Sequence, residues 1–253
     1  PVRAWTDVHA GFGLGGWTLL LVAGVAFQVI PQFHVTPPFP RRLVVALGAT
    51  VFLALVALSH ARGTLARALA TVAVAAAASW AILALCLLRR SRRRQADTLL
   101  RFWLVALGAL LTACAVLLAS WWVLPPVEAD RAHLLAGVLL IAGFALSAIV
   151  GMQHQIFAFL LFMHLQPRAL KLPIAQRSLL PTMEGLVPPR ISRVQFAVHG
   201  TMVALAVAGV LWPPIGWAGA TLLLADFAVL AAMQWTAIGR YRRAARAMAR
   251  AGG

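Results

Sequence analysis

Three histidines stand at similar depths in the apolar segments of this chain, where imidazoles are candidate ligands. His9 begins the first apolar segment, His60 ends the second and His133 begins the fifth. Segments that alternate in direction across a membrane would bring all three to one boundary. Neutral imidazoles that converge from different helices can bind a metal ion or haem iron. The pattern fits such a site, and it also fits three interfacial histidines that never meet.

Asp226 is the only acidic residue inside an apolar segment, about ten residues along the last one and therefore near the bilayer midplane. An ionisable group at this depth is costly, which makes it a candidate functional group by default. One interpretation is a carboxylate that relays protons or pairs with a cation. The other is a hydrogen-bonded carboxyl group that ties two helices together.

A second polar group lies toward the opposite ends of the helices from the three histidines. It comprises Gln28, Gln153, His154, Gln155, Gln195, His199 and Gln234. A path for protons or a solute would use Gln153, His154 and His199 together with Asp226. The alternative is a set of interhelical hydrogen bonds, each worth about 1 kcal/mol or less.

The composition defines the elements that must position these residues. Of 253 residues, 62% are hydrophobic and 11% are charged, which excludes an ordinary soluble domain and a disordered chain. In lipid, the backbone N–H and C=O groups must find hydrogen-bond partners within the protein, which only helices and closed barrels allow. Because apolar and polar residues do not alternate along the chain, helices are favoured over a barrel. We predict an all-α polytopic membrane protein with one transmembrane domain, spanning the bilayer at about 8–30, 43–61, 65–88, 100–123, 132–156, 194–212 and 216–238.

The basic residues predict the orientation of these helices. Eighteen of the 22 fall on one side if the spans alternate, and only Arg3, Arg62, Arg67 and Arg131 fall on the other. The positive-inside tendency then places the N-terminus outside and the C-terminus in the cytoplasm. The net charge of +16 is interpreted as orientation and contact with anionic lipid rather than nucleic-acid binding. The eighteen are Arg41, Arg42, Arg89, Arg90, Arg92, Arg93, Arg94, Arg101, Arg168, Lys171, Arg177, Arg190, Arg193, Arg240, Arg242, Arg243, Arg246 and Arg250.

Two segments depart from a simple pattern of short loops. The fifth apolar run, 133–165, would extend about 50 Å as a helix, so we expect it to tilt, to bend near Gly151 or to leave the membrane. The proline-rich segment 166–193 is predicted to be a cytoplasmic loop. An outside N-terminus that begins at Pro1 predicts a removed leader, further helices upstream or a partner membrane subunit.

Two stretches of the chain resemble bacterial membrane proteins related to subunit I of haem-copper oxidases, a group that includes the NnrS-type nitric-oxide-response proteins. The first contains His9, the glycine run, Trp17, Gly24-Val25, Val29-Ile30-Pro31 and Thr36-Pro37-Pro38-Phe39-Pro40; the second contains Gly151-Met152, Phe159-Leu160-Leu161, His164-Leu165-Gln166 and Leu180-Pro181-Thr182-Met183. The resemblance implies the last seven helices of a twelve-helix fold in the bacterial inner membrane.

The resemblance also implies cofactors and a role. His9 and His60 would occupy copper-ligand positions and His133 a ligand position of b-type haem, in electron transfer, nitric-oxide handling or haem-linked sensing. No His-Pro-Glu-Val-Tyr stretch follows His9, His60 is single, and the one tyrosine is Tyr241, so oxygen reduction is not expected. No catalytic residue is predicted. The alternatives are a transporter or channel that uses Asp226 and the inner polar residues, and a non-catalytic scaffold subunit.

Overall fold

The part of the chain that the structure describes is a bundle of helices, seven of which are long and apolar enough to cross a membrane. A computed structural model describes residues 2–91 and 98–252, with side chains from Trp5 onward, and no strand occurs in these ranges. This confirms the predicted all-α architecture with seven spans. The helices are α1 (Trp5–His34), α2 (Arg41–His60), α3 (Gly63–Arg89), α4 (Thr98–Trp122), α5 (Pro126–Leu170), α6 (Pro189–Leu211) and α7 (Pro213–Gly252).

Most of the basic residues lie at the end of the bundle that holds the α1–α2 and α5–α6 connections, named here the basic end, whereas Arg62, Arg67 and Arg131 lie at the opposite end. In the described ranges the basic end carries Arg41, Arg42, Arg89, Arg90, Arg101, Arg168, Lys171, Arg177, Arg190, Arg193, Arg240, Arg242, Arg243, Arg246 and Arg250. Arg92, Arg93 and Arg94 lie outside the described residues. The side of a membrane that the basic end faces remains a prediction.

The first span is longer than expected because Pro31 does not end it. The helix continues to His34, and Val35 closes it with a left-handed backbone, φ 52°. A proline is tolerated inside a membrane helix when neighbouring groups satisfy the carbonyl it leaves free. The residues that do stop the helix are Val35 and the prolines that follow it.

Helix α5 is 45 residues long, about 67 Å at 1.5 Å per residue. Its irregularity is a wide π-helical segment, Leu139–Leu146, whereas Gly151 lies within the regular helix Ser147–Leu170. Helix α5 extends to Leu170 and α6 begins at Pro189, so the connection is 171–188 rather than 166–193. That connection contains two short helices, Ile174–Leu179 and Met183–Leu186.

The first five helices, α1 through α5, share the main apolar core. Trp103, Leu107 and Phe144 are among its fully buried side chains. Helices α4 and α5 also contact α6, and α7 packs along α6 and α5. The C-terminal pair α6–α7 is therefore docked on the face that α4 and α5 leave outside the main core.

Small residues allow α4 and α5 to approach closely. A Cβ added to Gly143 would lie 2.6 Å from Cβ of Ala109, and one added to Gly151 would lie 2.5 Å from Cβ of Phe102. Gly143, Ser147 and Gly151 recur at four-residue intervals and share one face of α5. This stripe of small residues sets the distance and the register of the two central helices.

The α6–α7 hairpin is equally tight at its turn. A Cβ on Gly209 would lie 2.7 Å from Cα of Gly216, and one on Gly219 would lie 3.0 Å from the backbone nitrogen of Ala206. Backbone contacts of this kind leave no room to slide one helix along the other. The turn at Pro213 therefore fixes which residues of α6 and α7 share a depth.

We predict that Gly143→Ala destabilises the bundle, whereas Gly137→Ala in the same helix does not. The added methyl at Gly143 collides with Ala109, whereas Gly137 faces open space. Overpacking of this kind costs about 1–3 kcal/mol. Thermal unfolding of the two variants in one detergent measures the difference. Equal melting temperatures would contradict the close approach of α4 and α5.

Candidate functional site

Asp226 is the centre of a buried polar cluster between α5, α6 and α7. It lies ten residues beyond Gly216 on α7, about 15 Å along the helix and thus half-way through a hydrocarbon core of about 30 Å. Only 1% of its surface is exposed. The main-chain carbonyl of Asp226 accepts a hydrogen bond of 2.9 Å from Nε2 of Gln195, and the same amide nitrogen donates to Oδ1.

His199 engages the other carboxylate oxygen of Asp226. Its Nδ1 is hydrogen-bonded to Oδ2 across 2.8 Å, and the imidazole is fully buried. Both carboxylate oxygens are therefore occupied, one by an amide and one by an imidazole. A hydrogen bond that involves a charged partner is stronger than a neutral one, especially away from water.

Ser147 extends this chain of hydrogen bonds. Its Oγ lies 2.8 Å from Nε2 of His199 and 3.4 Å from the carbonyl oxygen of Ala142. A hydroxyl group has one hydrogen to donate. If Nε2 carries a proton, the imidazole donates to Ser147, which donates to Ala142; if Nε2 is bare, Ser147 donates to it. The cluster can thus take two protonation patterns without moving a heavy atom.

The sequence places these groups at one depth through the α6–α7 turn. His199 precedes Trp212 by thirteen residues, and Asp226 follows Pro213 by thirteen. Two antiparallel helices with a tight turn bring such symmetric positions side by side. Gln195 is four residues before His199 and shares its face of α6, so it reaches the same carboxylate one turn nearer the basic end.

Ser147 is positioned by the π-helical segment that precedes it. The segment ends at Leu146, and Ser147 starts the regular helix at the centre of the small-residue stripe. Its hydrogen bond spans five residues, back to Ala142. Thr18 follows the same pattern in the π-helical segment of α1, where its hydroxyl donates to the carbonyl of Gly13 at 2.9 Å. Such widened turns often occur at functional positions.

The order hydroxyl–imidazole–carboxylate is the one found in serine hydrolases. Acyl transfer also requires that a substrate carbonyl reach the serine oxygen and that donors stabilise the oxyanion. Ser147 is fully buried, with no exposed surface. The arrangement is therefore suited to holding and passing a proton, and not to attack on an external substrate.

A second polar pair lies nearer the basic end, where α5 and α7 meet. Nε2 of Gln234 donates to Oε1 of Gln153 at 3.3 Å. The neighbouring His154 is 7% exposed, and its Nδ1 donates to the carbonyl of Val150 at 2.9 Å. Of the four residues predicted to form a path, Gln153, His199 and Asp226 make hydrogen bonds between α5, α6 and α7, whereas His154 is bonded within α5.

The three histidines of the other boundary are exposed. His133 lies on α5 with its Nε2 3.1 Å from Oγ of Ser120 on α4, a contact between helices. Among the described residues, no group of three or more His, Cys, Asp or Glu side chains is arranged to hold a metal ion. Copper binding at His9 and His60 stays a prediction. Haem binding needs only one or two imidazoles, so it stays a prediction.

Comparisons with protein-family models, with curated proteins and with solved structures gave no match to this chain.

Sequence reasoning grouped His199 with Asp226 but missed Ser147 and Phe102. Two signals in the sequence could have sharpened the prediction, one for the contact of His199 with Asp226 and one for Ser147, and neither concerns Phe102. The equal spacing of His199 and Asp226 from the turn predicts their contact. The stripe Gly143, Ser147, Gly151 predicts that Ser147 faces a helix packed closely against α5. Hydropathy alone reports neither, because it does not define the rotation of a helix.

We predict that His199→Leu and Asp226→Leu are each strongly destabilising, whereas the double variant is less so than their sum. Removing one partner leaves a buried polar group unpaired, at a cost of about 3 kcal/mol or more, while replacing both with apolar groups removes the unpaired group. Unfolding by SDS titration in mixed micelles measures the coupling. His133→Leu, at an exposed position, serves as the control. Strictly additive effects would contradict the buried pair.

Proposed function

We propose that this protein is an integral membrane protein that binds and passes protons, as a proton pathway or a proton-coupled transporter. The observation that carries the proposal is the continuous chain Asp226–His199–Ser147 at mid-membrane depth, in which every side chain is 1% exposed or less. Intramembrane acids and histidines that pair with each other are typical of proton relays.

The Asp226–His199 pair favours one shared proton. With a single proton between carboxylate and imidazole, the pair is neutral overall, either as carboxylate and imidazolium or as carboxylic acid and imidazole. Loss of that proton or gain of a second leaves a net charge in a low-dielectric interior, which is costly. The pair is therefore suited to exchanging one proton for another.

His199 gives this exchange a direction because its two nitrogens face different partners. As a new proton reaches Asp226, the shared proton moves to Nδ1 and another leaves Nε2 for the Ser147 oxygen, while Ser147 releases its own hydroxyl proton to a water molecule. The pair ends with the charge with which it began, and rotation of the hydroxyl between His199 and the carbonyl of Ala142 resets Ser147. Ala142 precedes Ser147 by five residues on α5, so a proton released on that side leaves in the direction away from the basic end.

A purely structural pair is the main alternative, as in a scaffold subunit. A buried ion pair stabilises a fold no better than well-packed apolar residues do, so stability alone gives little reason for it. An experiment can also distinguish proton transfer from the hydrolase chemistry that the serine, histidine and aspartate suggest. A fluorophosphonate probe would label Ser147 only in the hydrolase case.

We expect purified protein in liposomes that contain a pH-sensitive dye to carry a proton current when valinomycin and a potassium gradient set the potential. Asp226→Asn should reduce the flux to the level of empty liposomes, because the amide cannot carry the exchanged proton. Asp7→Asn, at an exposed acid, should leave it unchanged. Each variant must be reconstituted in equal amount with an unchanged helical circular-dichroism spectrum.

A wild-type flux equal to that of empty liposomes, at neutral and mildly acid pH and with both signs of potential, would exclude a free-running proton pathway. The same assay with a dissipated potential and candidate solutes tests coupled transport. A flux that survives Asp226→Asn unchanged would overturn the role given to this residue.

Haem binding is a second candidate function, and the packing of the first two helices favours it. A Cβ on Gly11 would contact Leu55 at 3.2 Å, so α1 and α2 meet close to His9 and His60, and both imidazoles are exposed. In this proposal, b-type haem would bind at that end of the bundle in a bacterial inner membrane.

We predict for that candidate a Soret band and a positive pyridine haemochrome assay in the purified protein, and loss of both when His9, His60 and His133 are all replaced by alanine. His164→Ala, near the basic end, is the matched control. Absence of haem from protein produced in haem-replete cells and then incubated with haemin would remove the candidate without affecting the proton proposal.

A further inference from the structure

Phe102 on α4 contacts both imidazoles of the polar cluster. Its ring centroid lies 5.9 Å from that of His154, with the planes 27° apart, and 5.3 Å from that of His199, with the planes 53° apart. An edge contact with Phe196 at 5.2 Å holds the ring from another side. Phe102 is 1% exposed, so it is a fixed apolar group at the junction of two proton-binding side chains.

Gly151 makes this position of Phe102 possible. A Cβ there would lie 2.5 Å from Cβ and 2.9 Å from Cγ of Phe102. Any larger residue would push the aromatic side chain away from α5. The small-residue stripe therefore serves two purposes: it brings α4 against α5 and seats Phe102 beside His154.

Two buried acceptors lie on the side of the cluster nearer the basic end. Nε2 of His154 and Oε1 of Gln195 have no hydrogen-bond partner among the described residues. Nδ1 of His154 donates to Val150, which leaves Nε2 as an acceptor, and the amide nitrogen of Gln195 donates to Asp226. Buried acceptors of this kind are normally satisfied, often by ordered water.

The positions of these acceptors indicate an order along the membrane normal. His154 follows Ser147 by seven residues, two turns nearer the basic end, and Gln195 is one turn nearer that end than His199. The Gln153–Gln234 pair lies beside His154. A proton that arrives from the basic end would therefore meet His154 before it meets Asp226.

We propose that Phe102 is a gate between two proton-binding stations, His154 and the Asp226–His199 pair. The inference rests on the proposed proton relay. In the closed arrangement the phenyl ring packs against both imidazoles and keeps water from joining them. Rotation of the ring admits water. When His154 has taken up a proton at Nε2, it donates that proton to the water, which releases one of its own protons to Asp226 and also donates a hydrogen bond to Oε1 of Gln195. No bond other than O–H and N–H bonds is made or broken.

Substitutions at Phe102 test the gate. Phe102→Leu opens space and should raise the proton flux by about tenfold or more, as a modestly lower barrier does, whereas Phe102→Trp should lower it. Phe33→Leu, a buried aromatic that packs against Phe159, is the matched control. Gly151→Ala displaces Phe102 without altering it and gives a second route to the same change if Phe102→Leu does not fold.

A second measurement keeps the gate distinguishable from the transport proposal. In protein labelled with ¹⁵N-histidine in lipid bilayers, solid-state NMR after transfer to D₂O follows exchange at each imidazole, with assignments from His154→Phe and His199→Phe. We expect His154 to exchange quickly and His199 slowly, and Phe102→Leu to bring the His199 rate close to that of His154.

The outcomes separate cleanly. Absence of proton flux in the wild type, together with faster exchange at His199 in Phe102→Leu, would reject the transport proposal and keep the gate. A flux that depends on Asp226 but is unaffected by Phe102→Leu, Phe102→Trp and Gly151→Ala, with unchanged exchange at His199, would reject the gate and keep the relay.

Discussion

The structure of the C-terminal half depends on how a carboxylate is kept in the middle of an apolar bundle. An acidic side chain at the centre of a membrane helix costs about 2.5–3.5 kcal/mol, and the cost is offset only if both oxygens are paired. In Asp226 one oxygen accepts a hydrogen bond from Gln195 and the other is hydrogen-bonded to His199. The pairing is met in the register of α6 against α7 that the close contacts of Gly209 and Gly219 set.

The same pair joins two parts of the bundle that pack differently. Helices α1 to α5 share a large apolar core, whereas α6 and α7 pack mainly on each other and on the far face of α4 and α5. The contact of His199 with Ser147 links the hairpin to α5 through hydrogen bonds. A polar network of this kind specifies one docking geometry, because each member has a partner only in that arrangement.

Hydropathy was sufficient to predict seven helices, because burial of a backbone in lipid depends on length and composition alone. It could not predict that α1 passes through Pro31 or that α5 runs to Leu170, since helix ends depend on local contacts. Grouping histidines by depth likewise left their faces undetermined: His199 meets Asp226, whereas His133 turns to Ser120. Facing residues are set by close contacts such as Gly143 with Ala109, which a hydropathy profile does not contain.

In the proposed relay, an imidazole between a carboxylate and a hydroxyl passes a proton from one to the other, which none of the three groups can do alone. A carboxyl group alone in the apolar interior would have no partner to which it could pass a proton. With His199 beside it, the pair stays neutral while the proton changes place. Ser147, held by the widened turn that ends at Leu146, supplies a hydroxyl that can reverse its donor direction. In the proposed relay, low charge at every step is therefore what lets protons cross the apolar interior.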